Sequence, residues 1–509
     1  MTILRYDDYE TSSGRATYDA DVVIVGTGAG GAAAGAELAE AGVDVAFVEE
    51  GSYHPTSSFN PYATESLPRL FRDAAATMIF GRPPIPYLEG RCVGGSTTVN
   101  GGMTWRTPDR ILADWERLCG PELGAAAMEP LFERVEKSVN ASRQIEASLG
   151  EDSRLMEEGA RRLGWDYLHT VRSQRNCVGS NNCVLGCPTG AKQSTLVSYI
   201  PRAIAAGARC LTEVRVESLL IEGGRCVGVR GASLCPRDRR TRRPVTVRAK
   251  AVIVACGATQ TPALLLGHKL GRTSGQLGRN FLCHPNAKVL AVYPFDVKAW
   301  QGVNQGGQVR EFVADGYLFA ENFIPPAELA ASMPTHGLRA WEIMKDYNRM
   351  ALTGVLVEDS HAGRVTRGLG GQPVPQYSIT PLDHARFLEG IRKLAMLHFE
   401  MGAERVYLPF SNLHEVTSAD ELQKIGATQR SRSTLELFTV HLMGTARMGA
   451  SASDSVVDLD GQLWDLPGCY VADASLFPTA IGVNPQITIM ALATRVAQRL
   501  SERVLSKAA

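Results

Sequence analysis

The sequence predicts an α/β fold organised around a buried parallel sheet. Two observations near the start of the chain support this prediction. An apolar run from Val22 to Val25 is followed by a glycine turn and an alanine-rich segment that ends near Gly42. A second apolar run then extends from Val43 to Val48. Short apolar runs of this kind are typical of buried strands, and the order strand, helix, strand gives one βαβ unit.

The glycine turn has the spacing of a dinucleotide-binding loop. Gly26, Gly28 and Gly31 follow the pattern G-x-G-x-x-G, and Glu49 lies at the end of the second predicted strand. The first glycine allows a tight turn, the second lets the backbone approach a pyrophosphate, and the third lets helix and strand pack closely. An acid at the position of Glu49 can accept hydrogen bonds from ribose hydroxyls. These features predict a site for NAD or FAD.

Composition excludes several classes of partner. The chain has 509 residues, with 53 Lys and Arg against 53 Asp and Glu, so its formal net charge is zero. Binding to nucleic acid is therefore not expected. No apolar run approaches the ~20 residues of a membrane span, and the first residues do not resemble a secretion signal. We expect a cytoplasmic protein whose eleven cysteines are mostly reduced.

The segment "GRCVGGSTTVNGGMTWRTP", residues 90–108, distinguishes between the two nucleotides. It resembles the first signature of the glucose–methanol–choline (GMC) family of FAD-dependent oxidoreductases. The resemblance implies that Gly94, Gly95 and Ser96 lie against the cofactor, and that Asn100 and Gly101 lie near the reactive edge of the flavin. Some family members carry a flavin-linked histidine immediately before the asparagine. Val99 occupies that position here, so FAD is expected to be non-covalent.

Two further cofactor contacts are implied by the resemblance. The segment "LTEVRVESLLIEGGRCVGVRG" resembles the part of the family fold that holds the adenine, with Val216 as its backbone contact. Asp473 matches an aspartate near the ribityl–phosphate region; the alternative is that it only caps a turn. "LGRNFLCHP" also follows the family pattern, and we interpret its His284 as structural.

The C-terminal region carries the expected catalytic pair. "HLMGTARMG" and "YVADASLFPTAIGVNPQITIMALATRVAQRL" resemble the end of the family's sequences. The resemblance implies that His441 removes the proton of a substrate hydroxyl while hydride passes to the flavin, and that Asn484 holds the developing alkoxide. An ordinary histidine pKa near 6.5 would suit this role. Pro485 and Gln486 open an apolar helix whose first N–H groups would stabilise negative charge on the flavin.

The resemblance also suggests how the chain is divided. A discontinuous Rossmann-like FAD-binding domain is expected from residues 15–110, 175–290 and 435–509. Residues 291–434 are expected to form an α+β substrate-binding domain with an antiparallel sheet over the flavin. Residues 111–174 are expected to be a connecting helical segment.

The substrate is less well defined than the reaction. The chain resembles the 6′-alcohol oxidases of aminoglycoside biosynthesis, which suggests a sugar-type primary alcohol. Alternatives are another sugar, a sterol or a long-chain alcohol, with oxygen or an external acceptor taking the electrons. A hydroxynitrile lyase is an alternative of another class. A polycationic substrate would need carboxylates, and the predicted substrate-binding domain offers the following candidates: Glu311, Asp315, Glu321, Glu358 and Asp359.

Cys177, Cys183 and Cys187 form a cysteine-rich segment, "NCVGSNNCVLGCPTGAK", residues 176–192. A disulfide knot is the weakest interpretation in a reducing compartment. Zinc would need a fourth ligand that is not close in sequence. The C-x3-C-P ending is similar to ferredoxin ligation, and similar spacing occurs in certain GMC sugar dehydrogenases. We therefore keep two main hypotheses: three ligands of a [3Fe-4S] cluster, or buried reduced thiols.

Overall fold

The predicted βαβ unit is present in the computed structural model, which describes residues 3–10, 16–322, 324–331, 333, 335–427 and 431–505. Its elements are the strand Ala16–Val25, the helix Ala29–Glu40 and the strand Val45–Val48. Residues 22–25 pair in parallel with residues 45–48 on one side and with residues 251–254 on the other. The predicted α/β fold is therefore confirmed.

The parallel strands belong to a sheet that has eight strands in the described part of the chain. Across the sheet the order is Ile3–Leu4, Arg209–Leu211, Val45–Val48, Ala16–Val25, Thr241–Val254, Arg225–Leu234 and Val214–Glu222, and Cys469–Val471 also pairs with Thr241–Val254. Arg225–Leu234 pairs in an antiparallel manner with both of its neighbours, Thr241–Val254 and Val214–Glu222. All other neighbouring strands of the sheet pair in parallel.

Small side chains let the helices approach this sheet closely. The helix Ala29–Glu40 contacts both Tyr199–Ala205 and the C-terminal helix Gln486–Leu505. A Cβ atom at Gly35 would lie 2.1 Å from the ring of Phe47 in the neighbouring strand. The alanine and glycine content of the first helix thus sets the tight packing that fixes its N-terminus at the sheet edge.

A second, antiparallel sheet has seven strands in the described residues. In order they are Glu415–Val416, Arg405–Tyr407, Asn286–Val292, Met350–Val357, Tyr317–Glu321, Gly307–Val309 and Tyr167–His169. The helix Pro381–Glu400 packs on one face, and its N-terminus carries a capping box formed by Thr380 and Asp383. The other face borders a large cavity.

Shorter elements complete the fold. The remaining helices of more than four residues are Tyr6–Glu10, Ala63–Leu70, Asp109–Cys119, Ala125–Ser138, Glu151–Leu163, Gly257–Gly267, Pro326–Ala331 and Gly337–Met344. In a small three-stranded sheet, Gly363–Arg367 lies between Arg279–Phe281 and Pro373–Gln376. Two-stranded sheets pair Thr77–Ile79 with Ile85–Tyr87 and Ala141–Arg143 with Val171–Ser173. Tyr167–His169 joins the antiparallel sheet, although it falls in the expected connecting segment. Among the helices described, none is both long and apolar enough to cross a membrane.

Candidate active site

The dinucleotide turn has the geometry that its three glycines predict. Gly26 has φ +102°, and a Cβ atom there would lie 2.4 Å from the carbonyl oxygen of Ala255. At Gly31 a Cβ atom would lie 2.1 Å from the carbonyl oxygen of Gly26. Gly28 differs, because a Cβ atom there would have no neighbour within 4 Å. The open side of the turn at Gly28 is therefore where a cofactor phosphate fits.

A fourth glycine, which the sequence pattern did not single out, connects this turn to Asp473. A Cβ atom at Gly30 would lie 1.8 Å from the carbonyl oxygen of Ala472. Asp473 itself accepts hydrogen bonds from Gly257 N at 2.8 Å and Ser475 N at 2.7 Å, and so caps the short helix that follows it. Asp473 thus lies beside the turn, where it holds backbone in place.

Glu49 is fixed by hydrogen bonds at the end of its strand. Its carboxylate accepts from the backbone N–H and the hydroxyl of Thr27 at 3.0 and 2.7 Å, and from Gly51 N at 2.8 Å. Burial raises the pKa of Glu49, and these hydrogen bonds oppose that effect. The carbonyl of Glu49 also accepts from Val214 N at 2.9 Å, which brings the strand containing Val216 to the same edge.

The signature loop lies directly on the dinucleotide turn. A Cβ atom at Gly95 would lie 2.8 Å from the Cα atom of Gly28, so only glycine permits this approach. Gly94 has φ +95°, and its N–H donates to the hydroxyl of Thr27 at 3.1 Å. The Ser96 hydroxyl accepts from Gly90 N at 3.0 Å. The loop is thereby held with its backbone against the proposed phosphate site.

The far end of this loop reaches the C-terminal helix. The Asn100 amide donates to the Gln486 side-chain oxygen, and its own oxygen accepts from Gly102 N at 3.0 Å. Gly101 approaches Gln305, because a Cβ atom there would lie 1.7 Å from the Gln305 amide oxygen. Asn100, Gly101, Pro485 and Gln486 all line the same cavity.

His441 and Asn484 are brought together although 43 positions separate them in sequence. The Asn484 amide donates to His441 Nε2 at 3.1 Å, so this nitrogen carries a lone pair and the neutral ring holds its proton on Nδ1. Gln308 Nε2 lies 3.4 Å from the Asn484 oxygen and orients the amide. Both members of the pair line the cavity.

The acidity of His441 differs from the sequence expectation. Burial lowers the pKa of His441 to about 3, and the neighbouring His284 adds to the shift. The pKa of His441 is thus shifted downward from the ordinary value near 6.5. The ring is neutral throughout the physiological range and is available as a proton acceptor.

A buried His284–Asp359 pair lies beside His441 and Asn484, and the sequence did not reveal it. His284 Nδ1 donates to Asp359 at 2.6 Å, while His284 Nε2 accepts from Gly482 N at 3.0 Å. The rings of His284 and His441 lie 6.3 Å apart. Burial alone would raise the pKa of Asp359, but the hydrogen bonds that it accepts from His284 Nδ1, His284 N and Cys283 N reverse this and lower it. The pair therefore fixes the backbone at Gly482, two residues before Asn484.

The catalytic pair faces a cavity of about 1130 Å³. At one end lie Ala29 and Ser96, beside the dinucleotide turn, and at the other end lies the antiparallel sheet. Side chains of apolar residues form most of the wall beyond the pair, among them Leu67, Phe71, Leu290, Leu318, Leu352 and Leu356. The volume is above the range usual for one small ligand, so the cavity has room for a flavin ring and an apolar substrate.

The five carboxylates considered as candidates for recognising a cationic substrate are not part of the described cavity wall. Glu358 pairs with Arg110, and Asp359 is bonded to His284. Glu321 lies on the opposite face of the sheet, where it accepts from Gly307 N. Glu311 and Asp315 also lie outside the cavity wall. Glu311 accepts a hydrogen bond from Asp166 N. The carboxylates that do line the cavity are Glu328, Glu415 and Glu436.

The predicted cluster ligands are not arranged as a metal site. In the described residues no group of three or more His, Cys, Asp or Glu side chains could hold a metal ion. The thiol of Cys183 accepts from Arg172 at 3.3 Å, and that of Cys187 accepts from Lys192 N at 3.5 Å. Cys177 is half-buried. The hypothesis of a [3Fe-4S] cluster therefore has no support in the described residues, whereas these hydrogen bonds agree with the alternative of reduced thiols.

Comparison with known proteins agrees with this geometry. The two GMC oxidoreductase family models match residues 62–286 and 360–493, and an FAD binding domain model matches residues 21–60. An uncharacterized GMC-type oxidoreductase of Mycobacterium tuberculosis is 35% identical over 495 residues, covering 96% of this chain and 76% of that protein.

More distant relatives have named activities. A long-chain-alcohol oxidase of Arabidopsis thaliana is 28% identical, covering 96% of this chain and 68% of that protein. Paromamine 6'-oxidase of Streptomyces fradiae is 26% identical, covering 96% of this chain and 92% of that protein. Formate oxidase of Aspergillus oryzae shares the fold with a TM-score of 0.74 at 17% identity, covering 96% of this chain and 99% of that one. This chain therefore belongs to the GMC family of FAD-dependent alcohol oxidoreductases.

Proposed function

We propose that the protein oxidises primary alcohols with an extended apolar body to aldehydes, using non-covalent FAD and His441 as the base. The single observation that carries this proposal is the His441–Asn484 pair at the wall of a large, mainly apolar cavity. The polar groups that such a reaction needs are concentrated at the pair, and most of the wall beyond it is apolar.

The chain has the features needed to hold FAD. The open space at Gly28 and the contact of Gly95 with the turn suit a pyrophosphate, while Glu49 and Val216 lie at the strand edge where the adenosine is expected. Val99 lines the cavity and offers no atom for a covalent bond. Bound FAD supplies the hydride acceptor for the reaction.

His441 would accept the substrate proton, and Asn484 would stabilise the oxygen that loses it. A substrate hydroxyl placed between them would give its proton to the lone pair of His441 Nε2, where the Asn484 amide now donates. The Asn484 amide would then donate to the oxygen as negative charge develops there. Gln308 contacts the Asn484 amide, and the bond from Gly482 N to His284 fixes the backbone two residues before Asn484, so Asn484 is held in position.

The apolar wall is the reason to prefer a hydrophobic alcohol. Burying a carbon chain against leucine side chains is favourable by roughly 0.8 kcal/mol per CH₂. The similarity to a long-chain-alcohol oxidase agrees with this preference. Electrons would leave the flavin to oxygen or to an external acceptor.

A sugar-type alcohol with amino groups is the second candidate. Both carboxylate oxygens of Glu328 are buried without a hydrogen-bond partner in the described structure, and Glu436 also lines the cavity. These two acids could receive ammonium groups, and paromamine 6'-oxidase is among the relatives. The candidate is weaker because the five acids first expected to serve this purpose lie elsewhere.

Anaerobic flavin reduction tests the proposal. The holoenzyme is mixed with n-dodecanol, n-butanol, glucose or paromamine, and the loss of visible flavin absorbance is followed. We expect the fastest reduction with n-dodecanol. The variant Ala320→Leu narrows the cavity at its apolar wall. It should slow flavin reduction by dodecanol more than reduction by butanol, which serves as the internal control. Reduction by paromamine but not dodecanol would favour the second candidate, and flavin that stays oxidised with every alcohol would favour a lyase.

A further inference from the structure

The cysteine-rich segment 176–192 has a function in the fold that its thiols alone do not explain. It ends in Lys192, whose ammonium is almost fully buried, with 4% of the residue exposed. Lys192 Nζ donates to the carbonyl oxygens of Thr98 at 2.8 Å, Asn100 at 2.6 Å and Cys183 at 2.7 Å. One ammonium thus joins the cysteine-rich segment to the signature loop.

Arg172 binds the same loop one residue further on. Its Nε and Nη2 atoms donate to the carbonyl oxygen of Gly101 at 3.1 and 2.6 Å, and Nη2 also donates to the thiol of Cys183 at 3.3 Å. The residue is 2% exposed, and its buried Nη1 atom has no hydrogen-bond partner in the described structure. Two cations therefore lie behind the loop of residues 98–101.

Neither cation has a carboxylate partner. Within the described residues no Asp or Glu oxygen lies within ion-pair distance, 4.0 Å, of Arg172 or Lys192. Burial lowers the pKa of Lys192 to about 8; the thiols of Cys183, Cys187 and Cys92 oppose that shift, and Arg172 adds to it. Buried charges are normally paired, because an unpaired one is costly to desolvate. The positive charge of Arg172 and Lys192 can therefore act on a negative group that does not belong to the protein.

The position of the loop indicates which group that is. Its N-terminal part contacts the dinucleotide turn at Gly28, and Asn100 contacts Gln486 beside the catalytic pair. Val99, Asn100 and Gly101 line the cavity between these two points. A flavin bound in this cavity would therefore have this loop between itself and the two cations.

We propose that Arg172 and Lys192 are electrostatic positioning residues that favour the gain of negative charge by bound FAD and so raise its reduction potential. In the reaction the alcohol carbon loses a hydride and the hydroxyl proton goes to His441. The flavin receives the hydride, with its two electrons, and becomes more negative by one charge. The cysteine-rich segment serves to carry Lys192 and to supply the uncharged acceptors that hold both cations in place.

The test measures the reduction potential of the flavin, which needs no alcohol. The holoenzyme is reduced slowly with dithionite in the presence of a reference dye, for the wild type, Lys192→Met, Arg172→Met and Lys192→Arg. We expect a lower potential in both methionine variants and a near wild-type potential in Lys192→Arg, which keeps the charge. Cys177→Ser, an uncharged replacement in the same segment that leaves both cations in place, is the matched control and should not change the potential.

A wild-type potential in a methionine variant that still binds FAD would overturn the proposal, since a merely structural role does not act through charge. Two further variants cover the case in which a methionine variant fails to fold. Lys192→Gln and Arg172→Gln remove the charge but keep side-chain hydrogen-bond donors, and each should lower the potential. A wild-type potential in either glutamine variant that binds FAD would also overturn the proposal. Because alcohol is absent, failure of the proposed substrate assignment leaves these outcomes unaffected.

Discussion

Substitution of Gly28 by alanine is expected to weaken FAD binding without disturbing the protein itself. Gly28 has φ −66° and ψ −165°, a conformation that alanine adopts readily, and a Cβ atom there meets nothing within 4 Å. The methyl group would instead occupy the space left for the cofactor. Overfilling a close-packed site costs about 1–3 kcal/mol, which corresponds to a roughly 5- to 150-fold rise in Kd.

The assay for Gly28→Ala is a titration of apo-protein with FAD, followed by quenching of flavin fluorescence, with the melting temperature of the apo-protein measured in parallel. Gly31→Ala is the matched control, because its methyl group would meet the carbonyl oxygen of Gly26 at 2.1 Å and should destabilise the fold. An unchanged FAD affinity in Gly28→Ala would refute the placement of the cofactor at this turn. A lowered apo melting temperature in that variant would contradict the open geometry.

Three further predictions follow from the site. Because burial lowers the pKa of His441 to about 3, the rate of flavin reduction should be independent of pH between about 6 and 8. Anaerobic stopped flow measures this rate, and a rise in the rate centred near pH 6.5 would contradict the prediction. Asp359→Asn should slow flavin reduction by roughly tenfold or more. The Asp359 carboxylate accepts from Cys283 N, His284 N and His284 Nδ1, and an amide there leaves one of these buried donors unsatisfied at a cost of about 1–3 kcal/mol. Glu358→Gln, at the neighbouring partly exposed ion pair, should not slow the reaction. Acid precipitation should release intact FAD into the supernatant, and flavin retained in the pellet would disprove the inference from Val99.

Local sequence signals were sufficient for the cofactor turn and the order of the first elements. A segment of some thirty residues contains the glycines at 26, 28 and 31 and the apolar runs around them, and it is enough to predict the turn and its flanking strands. The structure has this turn and these strands. The pairing of His441 with Asn484 could be proposed because both lie in motifs with a recognisable context.

Contacts between distant segments could not be predicted in this way. Asp359 and His284 lie 75 positions apart, and neither position has a local pattern that indicates a partner. Glu321 was a candidate for the cavity, but strand alternation places it on the opposite face from Asn322, which does line the cavity. No role could be predicted for Lys192 in the cysteine-rich segment, because its acceptors at Thr98 and Asn100 come from a separate segment.

The most direct test of the central claim compares wild type and His441→Ala in anaerobic single-turnover reduction by n-dodecanol. We predict that the variant binds FAD normally and that its rate of flavin reduction falls by about 10²–10⁴-fold, the usual contribution of a positioned base. The same variant should be reduced by dithionite as readily as the wild type, which controls for damage to the cofactor site. A near wild-type rate with dodecanol after removal of the imidazole would contradict the account.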